Sequence, residues 1–197
     1  MFQRFDILLG MNTQLLVKIR KWVKETSPNA DHLIRTGYWV ERIYPKADVA
    51  LVIAAITHDI ERGFVQKRIP PSPEFKGAKW DDPVYDKWHS ERSAKFVKEF
   101  LEKENADKKL IEKIVQLISH HEHGGWKEAD ILKDADSISF LEINVPHFIS
   151  KISGDFSKDD VKEKFDLMYY RISSPKAKKI AEPFYKNAIR KLNLTYV

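Results

Sequence analysis

Residues 49–56 form an uninterrupted apolar segment, and the polar pair His58-Asp59 follows it after a single threonine. A helix that is apolar on every side has to be surrounded by other elements, so we predict that this segment is the central helix of the core. Burying an ionised carboxylate such as that of Asp59 without a partner is costly. A divalent cation would remove that cost, because imidazole and carboxylate are ordinary metal ligands. The segment therefore constrains both the fold and its chemistry.

The periodicity of the rest of the chain is helical almost throughout. Glycine is rare, with 7 among 197 residues, and long alternation of β-branched residues is absent. Asp31 and Asp107 are suited to begin helices, and prolines separate the apolar stretches. We predict an all-α fold with helices over residues 10–25, 31–44, 47–60, 87–104, 107–122, 129–142, 158–172 and 176–193.

Residues 63–86 interrupt this pattern with prolines and aromatic side chains, and they join His58-Asp59 to His89. A loop of roughly two dozen residues is unusual in a compact domain and is often functional. Two interpretations remain open. The segment is either an Ω-loop pinned by its aromatic residues or a lid that forms one wall of a site.

The composition excludes several kinds of protein. No cysteine is present, which excludes disulfides and thiolate metal sites. No apolar run approaches the roughly 18 residues of a membrane span, and Arg4 and Asp6 interrupt the N-terminal run before a signal peptide forms. We therefore expect a cytoplasmic protein. The net charge of +5 favours anionic ligands, while no arrangement of basic and aromatic residues matches a nucleic-acid-binding module.

Several histidines coincide with the apolar faces of the predicted helices. His32 lies on such a face, His89 lies at the edge of one, and His121 continues another, whereas His120 points away from it. Inward histidines on several helices, together with a later pair of acids, predict a metal site. A set without thiols suits Fe, Mn, Zn, Ni, Co or Mg. The candidate ligands are His32, His58, Asp59, His89, His120, His121 and either Asp134 or Asp136.

These residues and their order resemble the HD-domain superfamily of metal-dependent phosphohydrolases, whose pattern is H…HD…D with extra histidines in binuclear members. The resemblance covers about residues 20–145. It implies one HD-domain helical bundle over residues 1–197, with a long Pro/aromatic loop and a C-terminal helical extension over about residues 146–197. The matching segments are DHLIRTGYWVERI, LVIAAITHDIERG, WHSERSAKFVKEFL, IVQLISHHEHGGW and ILKDADSISFLE.

The resemblance also implies a role for each position. The dipeptide Ala135-Asp136 matches the family's last ligand, so Asp136 is preferred to Asp134. Asp59 would bridge the metals if two ions are bound. His32, His58, Asp59 and Asp136 correspond to the basic metal set, and His89 with His120 or His121 corresponds to the extra ligands of binuclear members, for one or two ions per chain.

For a metal-bound hydroxide that attacks phosphorus, we expect fixed cations to face the phosphoryl oxygens. Arg62, one turn after Asp59, is the first choice, and Arg35, one turn after His32, is the second. Lys67 or Arg68 on the loop would close over the phosphate. Glu61 and Glu122 are candidates for proton transfer or for orienting water, with a structural role as the alternative.

Three functions remain open from the sequence. The first is a phosphohydrolase that acts on a phosphomonoester or nucleotide, so we expect a phosphate-bearing, anionic small molecule as the partner. The second is a di-iron oxygenase with an HD-like fold, because such proteins share the ligand pattern. The third is a catalytically inactive domain that binds a ligand. The strings typical of cyclic dinucleotide cleavage and of alarmone hydrolysis are missing from this chain, so neither activity is expected.

Overall fold

The computed structural model describes residues 2–64, 80–152 and 154–195, with side chains from residue 13 onward. Within these ranges the chain is helical and contains no strand, which confirms the predicted all-α fold. A 3₁₀ turn over Ile60–Gly63 follows α3, and a π-helical turn over Phe140–Asn144 follows α6. The helices are α1 (Phe2–Thr26), α2 (Ala30–Ile43), α3 (Val49–Thr57), α4 (Pro83–Lys103), α5 (Lys108–Ser119), α6 (Lys127–Ser139), α7 (Val145–Ser150), α8 (Lys158–Tyr170) and α9 (Pro175–Asn193).

Helix α3 is the centre of the core, as its composition predicts. Every residue from Ala50 to Thr57 is buried, and α1, α2, α5 and α6 pack around it. Burial of each large aliphatic side chain contributes about 1.5–3 kcal/mol, so this helix is held firmly in place. The side chain of Asp48 begins the helix by accepting a hydrogen bond from the Leu51 N–H at 3.0 Å. The rigid core helix therefore fixes the position of the polar residues at its C-terminal end.

Helices α2 and α3 approach each other closely at Gly37. A Cβ atom at this position would lie 2.4 Å from Cγ2 of Ile56, so any larger residue would push the two helices apart. The close approach places the rings of His32 and His58 next to each other, with their centroids 5.5 Å apart. The small residue thus helps to bring two of the predicted ligands together.

The main differences from the predicted helices lie at two places. Helix α1 begins at Phe2 rather than at residue 10, because one glycine such as Gly10 costs only about 1 kcal/mol in a helix and does not end it. Helix α7 was not predicted. The π-helical turn shifts the periodicity after α6, and Pro146 lies in the first turn of α7, where its missing N–H is tolerated.

The C-terminal helices belong to the same packed body. Helix α8 contacts α6 and the π-helical turn, and α9 packs along both α6 and α8. Ser157 and Asp160 form a reciprocal capping box that begins α8. Among the described helices, none has the length and apolar character needed to span a bilayer.

Candidate metal centre

Four histidines and three carboxylates converge at one end of α3. They come from distant parts of the chain, and the helices around α3 bring them together. All but the partly buried Glu122 are buried, with at most 9% of each residue exposed. The members of this cluster are His32 on α2, His58 and Asp59 at the end of α3, His89 on α4, His121 and Glu122 after α5, and Asp136 on α6.

One side of the cluster is built around Asp136. Its Oδ1 lies 3.0 Å from Nε2 of His32 and 3.3 Å from Nε2 of His58. His32, His58 and Asp59 each offer a ligand atom, and these atoms lie within 4.8 Å of one another. The distances are those of groups that surround one small cation.

The other side of the cluster is built around Asp59. Its Oδ1 lies 2.6 Å from Nε2 of His89 and 3.5 Å from Nε2 of His121. Glu122 completes this side, with Oε1 3.2 Å from Nε2 of His121. The ligand atoms of all four residues again lie within 4.8 Å of one another. Asp59 belongs to both groups, so it is placed where a bridging carboxylate would be.

The Nδ1 atom of each histidine contacts a group on the side away from the cluster, and this contact fixes the orientation of the ring. The carbonyl oxygens of Ala55 and Ile118 lie 2.9 Å and 2.8 Å from Nδ1 of His58 and His121. A carbonyl oxygen can only accept, so Nδ1 carries a proton and Nε2 is the ligand atom. Nδ1 of His32 and His89 similarly contacts Ser139 Oγ at 3.0 Å and Glu61 Oε1 at 3.0 Å. Such partners commonly orient metal ligands.

Two of the inward nitrogens have no hydrogen-bond partner among the described residues. Nε2 of His58 and Nε2 of His121 are buried, and the nearby carboxylate oxygens are not aligned to form hydrogen bonds with them. Buried polar atoms are nearly always satisfied, because leaving one without a partner costs about 1–3 kcal/mol. A cation bound between the rings and the carboxylates would satisfy both nitrogens.

Two arginines neutralise the cluster from outside. Nε of Arg62 donates to Oδ2 of Asp59 at 2.8 Å. The guanidinium of Arg171 donates to the second oxygens of Glu122 and Asp136, and its Nε donates to Ser137 Oγ at 2.8 Å. Each cluster carboxylate therefore presents one oxygen to the histidines and the other to an arginine. Without a proton added to any histidine, the three carboxylates and two arginines carry a net charge of −1, so the cluster attracts either protons or a metal cation.

The proton affinities follow from this arrangement. Burial by itself raises the pKa of the carboxyl groups, but Arg62 holds the pKa of Asp59 well below its ordinary value, and Arg171 does the same for Glu122 and Asp136. Burial lowers the pKa of His121, yet Glu122 and Asp59 together raise it to about 10. A metal ion would have to displace such protons in order to bind.

The structure brings together most of the predicted site residues and leaves His120, Asp134 and Arg35 outside the cluster. His120 is exposed, because it follows the end of α5 at a different angle from His121, and its Nδ1 donates to the carbonyl of Gln116 at 2.9 Å. Asp134 instead accepts the N–H groups of Ser173 and Ser174 at 2.8 Å and 2.9 Å. These contacts favour His121 and Asp136 as the ligands where the sequence left the choice open.

The second predicted phosphate-binding cation, Arg35, does not join the cluster. Its guanidinium forms two hydrogen bonds to Glu142, at 2.6 Å and 2.5 Å, and it lies over the ring of Tyr38. The π-helical turn carries Glu142 to this position, and no sequence pattern indicates that pairing. Arg62 does lie at the cluster, although its Nε already donates a hydrogen bond to Asp59.

The positions of Glu122 and Arg171 at the cluster differ from what the sequence predicts. The sequence predicts a role for Glu122 in proton transfer or in orienting water, whereas the structure places it among the candidate ligands; its position directly after His121 is the signal for this. Arg171 lies 35 residues after Asp136 and belongs to no recognisable motif, so only the packing of α8 on α6 reveals it.

The described ends of the long loop are pinned by aromatic contacts. The ring of Phe64 stacks on that of Phe96 with centroids 4.2 Å apart, and Trp80 packs against Phe156 at 4.9 Å. The indole N–H of Trp80 also donates to the carbonyl of Asp160 at 2.8 Å. These contacts fit the Ω-loop interpretation at both ends, while Lys67, Arg68 and the rest of residues 65–79 lie outside the described residues.

A family profile described as "Domain of unknown function (DUF4202)" matches residues 16–184. This range includes every residue of the cluster as well as Arg62 and Arg171. Comparisons with curated proteins and with solved structures gave no match. Because the profile covers most of the 197 residues, the chain belongs to the DUF4202 family of domains of unknown function.

Proposed function

We propose that this protein is a metal-dependent phosphohydrolase of the HD type, which cleaves phosphomonoesters or nucleotides. The observation that carries the proposal is the pair of buried nitrogens, Nε2 of His58 and Nε2 of His121, which face ionised carboxylates without forming hydrogen bonds. Buried nitrogens without a partner lower the stability of a core that binds nothing, whereas in a metal site each of them has a metal ion as its partner. The resemblance of the ligand order to the HD-domain superfamily supports the same conclusion.

Two ions fit the donor set. Asp59 would be shared between them, because its ligand atoms belong to both groups. Imidazole and carboxylate ligands without thiols suit Mn, Fe, Co, Ni or Zn, and Mg is the least suited because it prefers oxygen ligands. One ion would be held by His32, His58, Asp59 and Asp136, and the other by Asp59, His89, His121 and Glu122.

When bound, such ions lower the pKa of a coordinated water and polarise a phosphoryl oxygen. The residues of the chain prepare the site for that chemistry. Glu61, which is completely buried, orients the ring of His89 from behind and keeps its Nε2 directed inward. Arg62 and Arg171 hold the carboxylates ionised, so that each can donate an electron pair without first losing a proton.

A direct test combines metal loading with a screen for phosphate release. The purified chain would be loaded separately with Mn²⁺, Fe²⁺, Co²⁺, Ni²⁺, Zn²⁺ and Mg²⁺, and then assayed on an aryl phosphate, nucleotides and sugar phosphates. His58→Ala should lose the ion held with His32, Asp59 and Asp136 and should abolish phosphate release. His147→Ala is the matched control, because His147 is exposed on α7, and it should retain both.

The outcome also separates the competing functions. Phosphate release that requires metal and His58 supports the hydrolase. Bound iron with substrate-dependent uptake of O₂ and no phosphate release would instead indicate an oxygenase. Bound metal without turnover of any substrate in the screen would favour a ligand-binding domain.

A further inference from the structure

The cations that surround the cluster differ in whether a carboxylate already pairs with them. Arg62 is paired with Asp59, and Arg171 is paired with both Glu122 and Asp136. Lys164 on α8 is different, because no carboxylate of the described residues lies within 4.0 Å of its ammonium group, although its charge interacts with Glu122 and Asp136 at longer range. Among the cations described near the cluster, Lys164 is therefore the one without a carboxylate partner, and its charge can meet an incoming anion.

The position of Lys164 directs it toward the cluster. It precedes Arg171 by two helical turns, so the two side chains lie on the same face of α8. Arg171 reaches Asp136 and Glu122, which shows that this face is turned toward the metal centre. The ammonium of Lys164 lies 5.5 Å from the ring centroid of Phe140, the residue one turn after Asp136.

Aromatic rings complete the surroundings of this ammonium group. The ring centroid of Trp80 also lies 5.5 Å from Nζ. The indole is itself fixed by its hydrogen bond to Asp160 and by its contact with Phe156. Lys164 is thus half-buried, with its ammonium group near two aromatic rings, and no carboxylate of the described residues uses its hydrogen-bond donors.

We propose that Lys164 binds the phosphate group of the substrate beside the metal centre. This inference rests on the proposed function only for the identity of the anion. The charge balance supports it, because burial lowers the pKa of Lys164 and a bound anion would offset that desolvation. The carboxyl group of Asp86 interacts with the charge of Lys164. Burial, and then the charge of Glu122, raise the pKa of Asp86 to about 6. Below that pH the group is mostly protonated, so it repels an anion less strongly.

The assignment makes α8 part of the substrate site. The predicted HD core ends near residue 145, and the cations expected from that core, Arg35 and Arg62, both have carboxylate partners. In this protein the phosphate-binding cation would come from the C-terminal helices. The role of these helices would then be functional as well as structural.

The test measures the binding of inorganic phosphate to Mn²⁺-loaded protein by titration calorimetry. Lys164→Met, which keeps most of the length of the side chain but removes the ammonium group, should weaken phosphate binding by about tenfold or more. Lys164→Arg should retain most of the affinity. Lys162→Met is the matched control, because Lys162 is exposed on the same helix and pairs with Asp166 at 2.6 Å, and it should bind phosphate like the wild type.

Metal content and far-ultraviolet circular dichroism would be recorded for every variant, and Lys164→Gln provides a second neutral variant if Lys164→Met does not fold.

Unchanged phosphate affinity in a folded, metal-loaded neutral variant would overturn the proposal, and so would a wild type that binds metal but no phosphate. If phosphate binding depends on Lys164 but no ester is hydrolysed, the proposed function fails and the assignment of Lys164 stands. If esters are hydrolysed equally well without Lys164, only this assignment fails.

Discussion

His120 and His121 are neighbours in the chain but lie in different surroundings. The ring of His121 is buried between Asp59 and Glu122, whereas that of His120 is exposed and packs against Trp126. We expect His121→Ala to lose one of two bound metal ions per chain and His120→Ala to retain both. Elemental analysis of the two purified variants checks this expectation. Equal metal contents would show that the position of His121 has no bearing on binding.

Metal affinity is expected to depend on pH through the same ring. Burial lowers the pKa of His121, but Glu122 and Asp59 raise it above its ordinary 6.5 to about 10, so the ring is protonated at neutral pH. A metal ion displaces that proton, and the affinity should rise about tenfold per pH unit for each proton released. Calorimetric titration with Mn²⁺ between about pH 6 and about pH 8.5, in buffers of different ionisation enthalpy, measures the protons released. An affinity that does not change with pH would contradict this account.

At the scale of helices, α6 connects the cluster to the C-terminal helices through two acids of different roles. Asp136 faces the histidines, while Asp134 accepts the N–H groups of Ser173 and Ser174 before α9. Asp134→Ala should lower the free energy of unfolding by roughly 1–2 kcal/mol and leave the metal bound. Asp136→Ala should release metal. Urea denaturation and elemental analysis of both variants distinguish the two roles. Metal loss in Asp134→Ala but not in Asp136→Ala would show that Asp134 is the ligand and would contradict this assignment.

Much of the helical pattern could be predicted, because each helix shows its buried face in the spacing of its own apolar residues. The polar pair His58-Asp59 was equally informative, since an imidazole and a carboxylate at the end of an apolar helix need partners. Contacts between distant segments were not predictable in this way. The pairing of Arg171 with Asp136 and that of Arg35 with Glu142 depend on how α8 and the π-helical turn pack, and no local periodicity encodes either.

In the molecule as a whole, the cluster joins helices that are far apart in sequence. The two proposed ions share Asp59 and would together connect α2, α3, α4, α6 and the end of α5, so bound metal should stabilise the folded state. At a metal concentration about 100 times the dissociation constant, removal of the metal by a chelator should lower Tm by roughly 5–10 °C. Differential scanning calorimetry measures the change, with Asp59→Ala, which removes the carboxylate shared by both ions, as a control whose Tm should not respond. An unchanged Tm in the wild type would count against a structural role for the metal.

We expect metal ions to bind in the cluster of His32, His58, Asp59, His89, His121, Glu122 and Asp136. The most direct test is anomalous diffraction from crystals of the chain grown with Mn²⁺. We expect two anomalous peaks within the cluster, with Asp59 between them and the Nε2 atoms of the four histidines as ligands. A map with no peak in the cluster, from a crystal in which Mn²⁺ binds elsewhere, would contradict the proposed metal site.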